Sequence, residues 1–149
     1  MSPLEILKKK KNVSMFKTSI PCPGPPRFKC DLVVSMRPMP PNLLNKAVQI
    51  TSEYALAHGG PVHSGPPGDI GISDEQWSSP PWGDKVTVNE GEVPTFWACG
   101  VTSSLSVTTS NDIPSVVTHA PGCMFVTDIV EQEGKEAVSS LSFVKMREE

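Results

Sequence analysis

Three side chains combine anion-binding or proton-transfer chemistry with a backbone that lets a ligand come close. Arg37 sits in Ser35-Met36-Arg37-Pro38, His63 closes Gly60-Pro61-Val62-His63, and His119 lies in Thr118-His119-Ala120-Pro121-Gly122. A guanidinium presents a rigid fork to a carboxylate. An imidazole titrates near neutrality and can carry a proton. The glycines and prolines beside all three mark turns at strand ends, where loops commonly carry sites. Brought together, the three groups would suit a small acidic substrate that needs proton transfer. Each also has a plainer reading: a surface arginine or the partner of a structural aspartate, and two turn-stabilising histidines. Cys99 ends an apolar run and reads first as a small buried residue. As a nucleophile it would need a lowered pKa and a nearby base. Asp84 and Asp128 are each isolated by spacing, so nothing marks them as a paired acid and base. Phe96 and Trp97 read as core rather than as a stacking platform.

These groups need elements to hold them. Leu32-Val33-Val34-Ser35 predicts a buried strand stopped by Arg37-Pro38. Pro40-Pro41 opens a helix whose apolar stripe runs through Leu43, Leu44, Ala47, Val48, Thr51, Tyr54 and Ala55 and ends at Gly59-Gly60. Thr95–Cys99 is the next strand. Ser115–His119 and Met124–Thr127 are expected to pair around Ala120-Pro121-Gly122. Ser19–Cys30, with four prolines, reads as an extended loop. Pro61–Gly91 reads as a long irregular stretch with a short strand at Val86–Val88. Met1–Lys11 predicts one or two amphipathic turns running into lysines, a solvated helix end. The tail from Glu131 is polar, with weak helical periodicity.

Composition bounds the rest. The 149 residues fit one domain or a piece of one, with 38% apolar and 19% charged residues. Sixteen prolines against eleven glycines leave little room for long helices. A net charge of −3 argues against a nucleic-acid partner, although Lys8–Lys11 is a basic run. No apolar run approaches the ~20 residues needed to cross a bilayer. The N-terminus shows neither a secretory signal nor a convincing transit peptide. Cys22, Cys30, Cys99 and Cys123 have no metal-ligand spacing, alone or with His63 and His119, and read as reduced thiols. No dinucleotide, phosphate-loop or metalloprotease motif is present, so no cofactor or metal is expected. The residues themselves lead to a mixed α/β (α+β) domain of short strands and few helices with a plausible anion and proton-transfer site.

Many blocks in order carry a resemblance to a known family. They are Asn12-Val13-Ser14-Met15-Phe16-Lys17-Thr18 into Ile20-Pro21-Cys22, Leu32-Val33-Val34-Ser35-Met36-Arg37-Pro38, Ala47-Val48-Gln49-Ile50-Thr51-Ser52, and His58-Gly59-Gly60-Pro61-Val62-His63. Ile70-Gly71-Ile72, Trp82-Gly83-Asp84, Gly91-Glu92-Val93-Pro94 and Phe96-Trp97-Ala98-Cys99-Gly100-Val101-Thr102 follow. Thr118-His119-Ala120-Pro121-Gly122 and Val126-Thr127-Asp128 close the series. Over residues 12–128 the chain resembles the D-glutamate cyclase, or hydro-lyase, family. It departs in two places. Gly65-Pro66-Pro67 stands where the family has Gly-Asp-Pro after the histidine matching His63, and Cys123 stands where many members have histidine. The family's domain also begins with a helical region well before the Asn12 block, and its larger animal members carry a further C-terminal domain. The expectation is a fragment or truncated product: residues 1–11 a residual helix, 12–128 a partial domain, 129–149 an unrelated polar tail.

The resemblance implies a fold of more than one α/β subdomain and cyclisation of D-glutamate to 5-oxo-D-proline with loss of water. It also implies a mitochondrial matrix location, as for animal members. Within that reaction Arg37 is the expected carboxylate anchor, and His63 and His119 are expected to move protons. Backbone near Gly100 or Gly122 would donate to an oxyanion, with Cys99 and Asp84 as further catalytic candidates. Two other readings stand beside it: an inactive fragment that only binds, and a hydro-lyase acting on another small carboxylic acid.

Overall fold

The structure, a computed structural model, describes residues 11–22, 27–54, 57–110 and 113–123. The N-terminal turns, the Met124–Thr127 strand and the polar tail expected above lie outside them. The described chain is mixed α/β: a four-stranded antiparallel sheet and three α-helices. The strands are β1 (Met15–Cys22), β2 (Cys30–Met39), β3 (His63–Ser64) and β4 (Val93–Ala98), in the order β1-β2-β4-β3. The helices are α1 (Pro41–Ser52), α2 (Asp74–Ser78) and α3 (Val101–Thr108), and a 3₁₀ turn covers Pro67–Ile70.

Several strands run further than the local sequence predicts. β2 passes through Arg37-Pro38 instead of stopping there. Pro38 pairs with Pro94 on β4, whose carbonyl turns away from β2 to accept from Gly65 N, so this pair lies between the ladder bonds and needs no amide hydrogen from either proline. β1 extends through Pro21 into the expected proline loop. It is an edge strand, where a missing N–H is tolerated, and its register shifts between Lys17 and Pro21. Residues 84–89 form no strand, although Val86 is buried.

The pleat separates two cores. Phe16, Val34, Met36 and Phe96 project to one face, where Ile70, Ile72 and Val86 from the long connection cover them. Trp77 of α2 stacks on Phe16, with ring centroids 5.5 Å apart. Met15 and Val33 project to the other face and pack under Val101 of α3, with Trp82, Cys99 and Leu105 around them. α3 was not expected, because Val-Thr-Ser-Ser is a run of weak helix formers. Its first turn is held by tertiary bonds: Thr102 Oγ1 accepts from Val33 N at 3.0 Å and lies 3.2 Å from Val33 O.

α1 begins where expected, with Pro41 at its first position, but ends at Ser52, short of the glycine pair. None of its residues is fully buried, and Leu43 and Ile50 are 47% and 46% exposed. The stripe is half-buried at Leu44, Ala47, Val48 and Thr51, and Trp97 Nε1 donates to Thr51 Oγ1 at 3.2 Å.

Candidate functional site

β2 and β4 set the site by alternation. Met36 and Phe96 are register partners on the first core face, so Arg37 and Trp97 belong to the opposite face. There the Arg37 guanidinium lies over the Trp97 ring, 5.5 Å from its centroid. Arg37 Nη1 also donates to Ser35 Oγ at 3.0 Å, two residues back on the same strand face. Among the described residues no carboxylate pairs with it. Burial lowers its pKa from the usual arginine value, yet a guanidinium stays charged at neutral pH. A half-buried guanidinium with no carboxylate partner among the described residues has donors to offer an anion.

Arg37 borders a cleft of about 420 Å³ between α1 and the sheet, within the ~300–1,000 Å³ range of small-molecule sites. Arg37, Thr51, Tyr54, His58 and Trp97 line it. His58 stands at the rim, and its pKa falls below the ordinary histidine value through burial and then the charge of Arg37. Its surface is nonetheless largely open to solvent, which limits the size of that shift. The direction leaves a neutral imidazole at pH 7, able to accept a proton.

The expected meeting of Arg37, His63 and His119 does not occur among the described residues. His63 pairs with Phe96 in the sheet and stacks on its ring at 5.7 Å, so it shares the first core face. Its Nε2 lies 3.0 Å from Pro66 O and 4.0 Å from the Asp69 carboxylate. The 3₁₀ turn thereby brings an aspartate towards His63 although Gly65-Pro66-Pro67 lacks one. His119 lines a separate hollow of about 170 Å³ with Trp82, Val101, Leu105 and Pro121. Its Nδ1 is 3.0 Å from Ala120 O. The physical reason for the separation is pleat parity: Arg37 and His63 lie on strands whose registers send them to opposite faces.

The remaining candidates hold structure. Asp84 accepts from Asn12 N at 2.6 Å, and its carbonyl accepts from Ser14 Oγ at 2.5 Å. Gly83 and Gly122 have φ of 75° and 78°, and a Cβ at either would strike Val13 O or the Asn12 side chain. Asn12 Nδ2 in turn donates to Pro121 O at 3.0 Å. The segment Asn12-Val13-Ser14 is therefore clamped between Trp82-Gly83-Asp84 and Pro121-Gly122. Cys99 is half-buried, packs in the second core, and donates its N–H to Val33 O at 2.9 Å. Gly100 caps α3 in an ordinary right-handed conformation.

Sequence reasoning passed over His58, Tyr54 and Thr51. Only Thr51 lies on α1; Tyr54 and His58 follow its end at Ser52, so helical spacing does not mark them.

A family model described as D-glutamate cyclase matches residues 2–128. The chain belongs to the D-glutamate cyclase family. The match reaches past the Asn12 block towards the N-terminus and ends at Asp128. A Syntrophobacter fumaroxidans protein named "Putative hydro-lyase" is 49% identical over 130 residues, covering 87% of this chain and 49% of the relative. A Bacillus licheniformis relative of the same description is 46% identical over 131 residues, 88% of this chain and 49% of its own. YcsI of Bacillus subtilis, also so described, is 49% identical over 121 residues, 81% of this chain and 46% of its own. The chain spans about half the length of these curated relatives.

Proposed function

We propose that the α1–sheet cleft binds a small amino dicarboxylate, and that the reaction it serves is cyclisation of D-glutamate to 5-oxo-D-proline and water. The observation that carries this reading is the Arg37 guanidinium, which has no carboxylate partner among the described residues and lies over Trp97 in the wall of a small-molecule-sized cleft. Arg37 would take the α-carboxylate. His58, held neutral, would remove a proton from the α-ammonium. The freed amine attacks the side-chain carboxyl carbon, the C–N bond forms, and the carboxyl C–O bond breaks. The proton taken up by His58 passes to one oxygen of that carboxyl, the nitrogen loses its second proton as the amide forms, and His58 relays this one to the same oxygen, which leaves as water. Both reacting groups belong to one molecule, so holding it folded supplies much of the rate, up to ~7–11 kcal/mol in well-oriented intramolecular reactions. Trp97 and Tyr54 would enclose the aliphatic carbons.

Membership of the family supports the reaction class, and the cleft chemistry supports the substrate class. The test uses the purified chain and a full-length relative, each followed for 5-oxoproline from D-glutamate. Turnover by the relative that survives Arg37→Ala at the matching position would remove Arg37 from the site. Binding of D-glutamate by this chain without product would favour the reading in which it only holds ligand. Water loss from a different acid in a substrate panel, with none from D-glutamate, would move the activity to another hydro-lyase substrate.

A further inference from the structure

Cys22 ends β1, Cys30 opens β2, and the two are direct partners across the antiparallel pair. Directly opposed residues project to the same side, with Cβ atoms about 4.5–5.5 Å apart, so closing a disulfide draws the two strand ends slightly together, to the ~3.5–4.5 Å that its Cβ atoms need. Their Cα atoms stand about 4.5–5.5 Å apart, inside the ~4.4–6.8 Å that a disulfide spans. Both thiols are free and half-buried. Both line one open cavity of about 540 Å³, walled by Lys17, Lys29, Leu105 and Thr109. Cys30 Sγ donates to Thr102 O at 3.5 Å, on the first turn of α3. Burial, and then the neighbouring Cys22, push the Cys30 thiol up, which fits two sulfurs in close company. Cys99, packed in the second core, and the exposed Cys123 are not among the residues of this wall.

We propose that Cys22 and Cys30 form a reversible thiol–disulfide site whose reaction partner is a small disulfide of the glutathione class. One cysteine thiolate attacks a sulfur of the small disulfide, breaking its S–S bond and expelling one small thiolate. The second cysteine thiolate then attacks the protein-side sulfur of the mixed disulfide. A Cys22–Cys30 bond forms and the second small thiolate leaves. The small disulfide is reduced to two thiols, the protein dithiol is oxidised, and the two cysteine protons end on the released thiols. Lys29 and the Asp31-paired Lys17 offer ammonium groups to the carboxylates of such a partner. The closed bond ties the base of the 23–29 connection and withdraws Cys30 from Thr102 O. The site is independent of what the α1 cleft binds.

The full-length chain is equilibrated with graded ratios of oxidised and reduced glutathione, quenched by alkylation, and read by intact mass and peptide mapping. The expected product has lost two hydrogens, links Cys22 to Cys30, and carries alkylated Cys99 and Cys123. Its equilibrium constant against glutathione should be at least about tenfold higher in native buffer than in concentrated urea, because the register pre-positions the sulfurs. Cys22→Ser and Cys30→Ser should each stop at the mixed disulfide. No internal bond, a predominant bond to Cys99 or Cys123, or equal constants in buffer and urea would overturn the proposal.

Discussion

Arg37 keeps its charge on a half-buried strand because Ser35 Oγ and the Trp97 ring stand in for part of its hydration. Charged hydrogen bonds are worth about 1.5–3 kcal/mol, so Arg37→Met should weaken D-glutamate binding roughly 10- to 100-fold, measured by calorimetry. Arg37→Lys should recover only part of it, since an ammonium lacks the fork. His58 gives a pH signature. Its pKa is lower in the folded chain, so protonation favours the unfolded one. Its contribution to stability is therefore intact above the ordinary value of 6.5 and lost as pH falls through the lower folded value. Urea midpoints across pH should show that loss in the parent and a smaller one in His58→Asn. Turnover should fall on the same acid limb, and His58→Asn should remove the limb. Gly83→Ala would place a Cβ against Val13 O at positive φ. The backbone strain alone costs about 1–2 kcal/mol. Gly122→Ala meets the Asn12 side chain, which can swing away. Chemical denaturation should rank Gly83→Ala as the more damaging; the reverse order would contradict the clamp. At this scale Arg37 was singled out by its residue type, although the strand runs on past Pro38. His58 was passed over because it lies beyond the end of α1, where only the packed sheet shows which groups line the cleft.

Elements in this chain are decided by their neighbours. β2 survives Pro38 because the Pro38–Pro94 pair falls between ladder bonds, and β1 survives Pro21 because it lies at an edge. Neither fact belongs to the strand's own residues, so a local reading stops both strands early. α3 is the converse case. Its Ser- and Thr-rich sequence is a poor helix, yet Thr102 ties its first turn to both polar groups of Val33. Thr102→Val keeps the shape but strands the buried Val33 N–H, at a cost of about 1–3 kcal/mol. Thr102→Ser should cost less. A thermal midpoint for Thr102→Val equal to the parent's would show that the helix docks by apolar contact alone. The strand expected at Thr95–Cys99 was legible from its apolar run, and β4 is displaced only at its ends, starting at Val93 and stopping at Ala98. The start of α1 was legible from Pro40-Pro41, but its end was not. The helix stops at Ser52, before the glycine pair expected to end it.

The described chain carries two cores, one on each face of a single sheet, and β2 contributes to both through Val34 and Met36 on one side and Val33 on the other. Shared strands couple the cores, so the purified chain should unfold in one transition. Trp77 and Trp82 report on opposite faces, and coincident tryptophan-fluorescence and far-UV circular-dichroism curves would meet that expectation. Separate midpoints would mean that one face melts alone. By itself the sequence determined the α/β class, the family and the central strands. Each of these rests on residue type or on order along the chain, which is one-dimensional information. The tertiary structure alone decided which groups share a cavity. Pleat parity and strand register send Arg37 and His63 to opposite faces, leave His119 beside α3, and bring His58, Trp97 and Arg37 together, because a side chain's face depends on pairing partners far away in the chain.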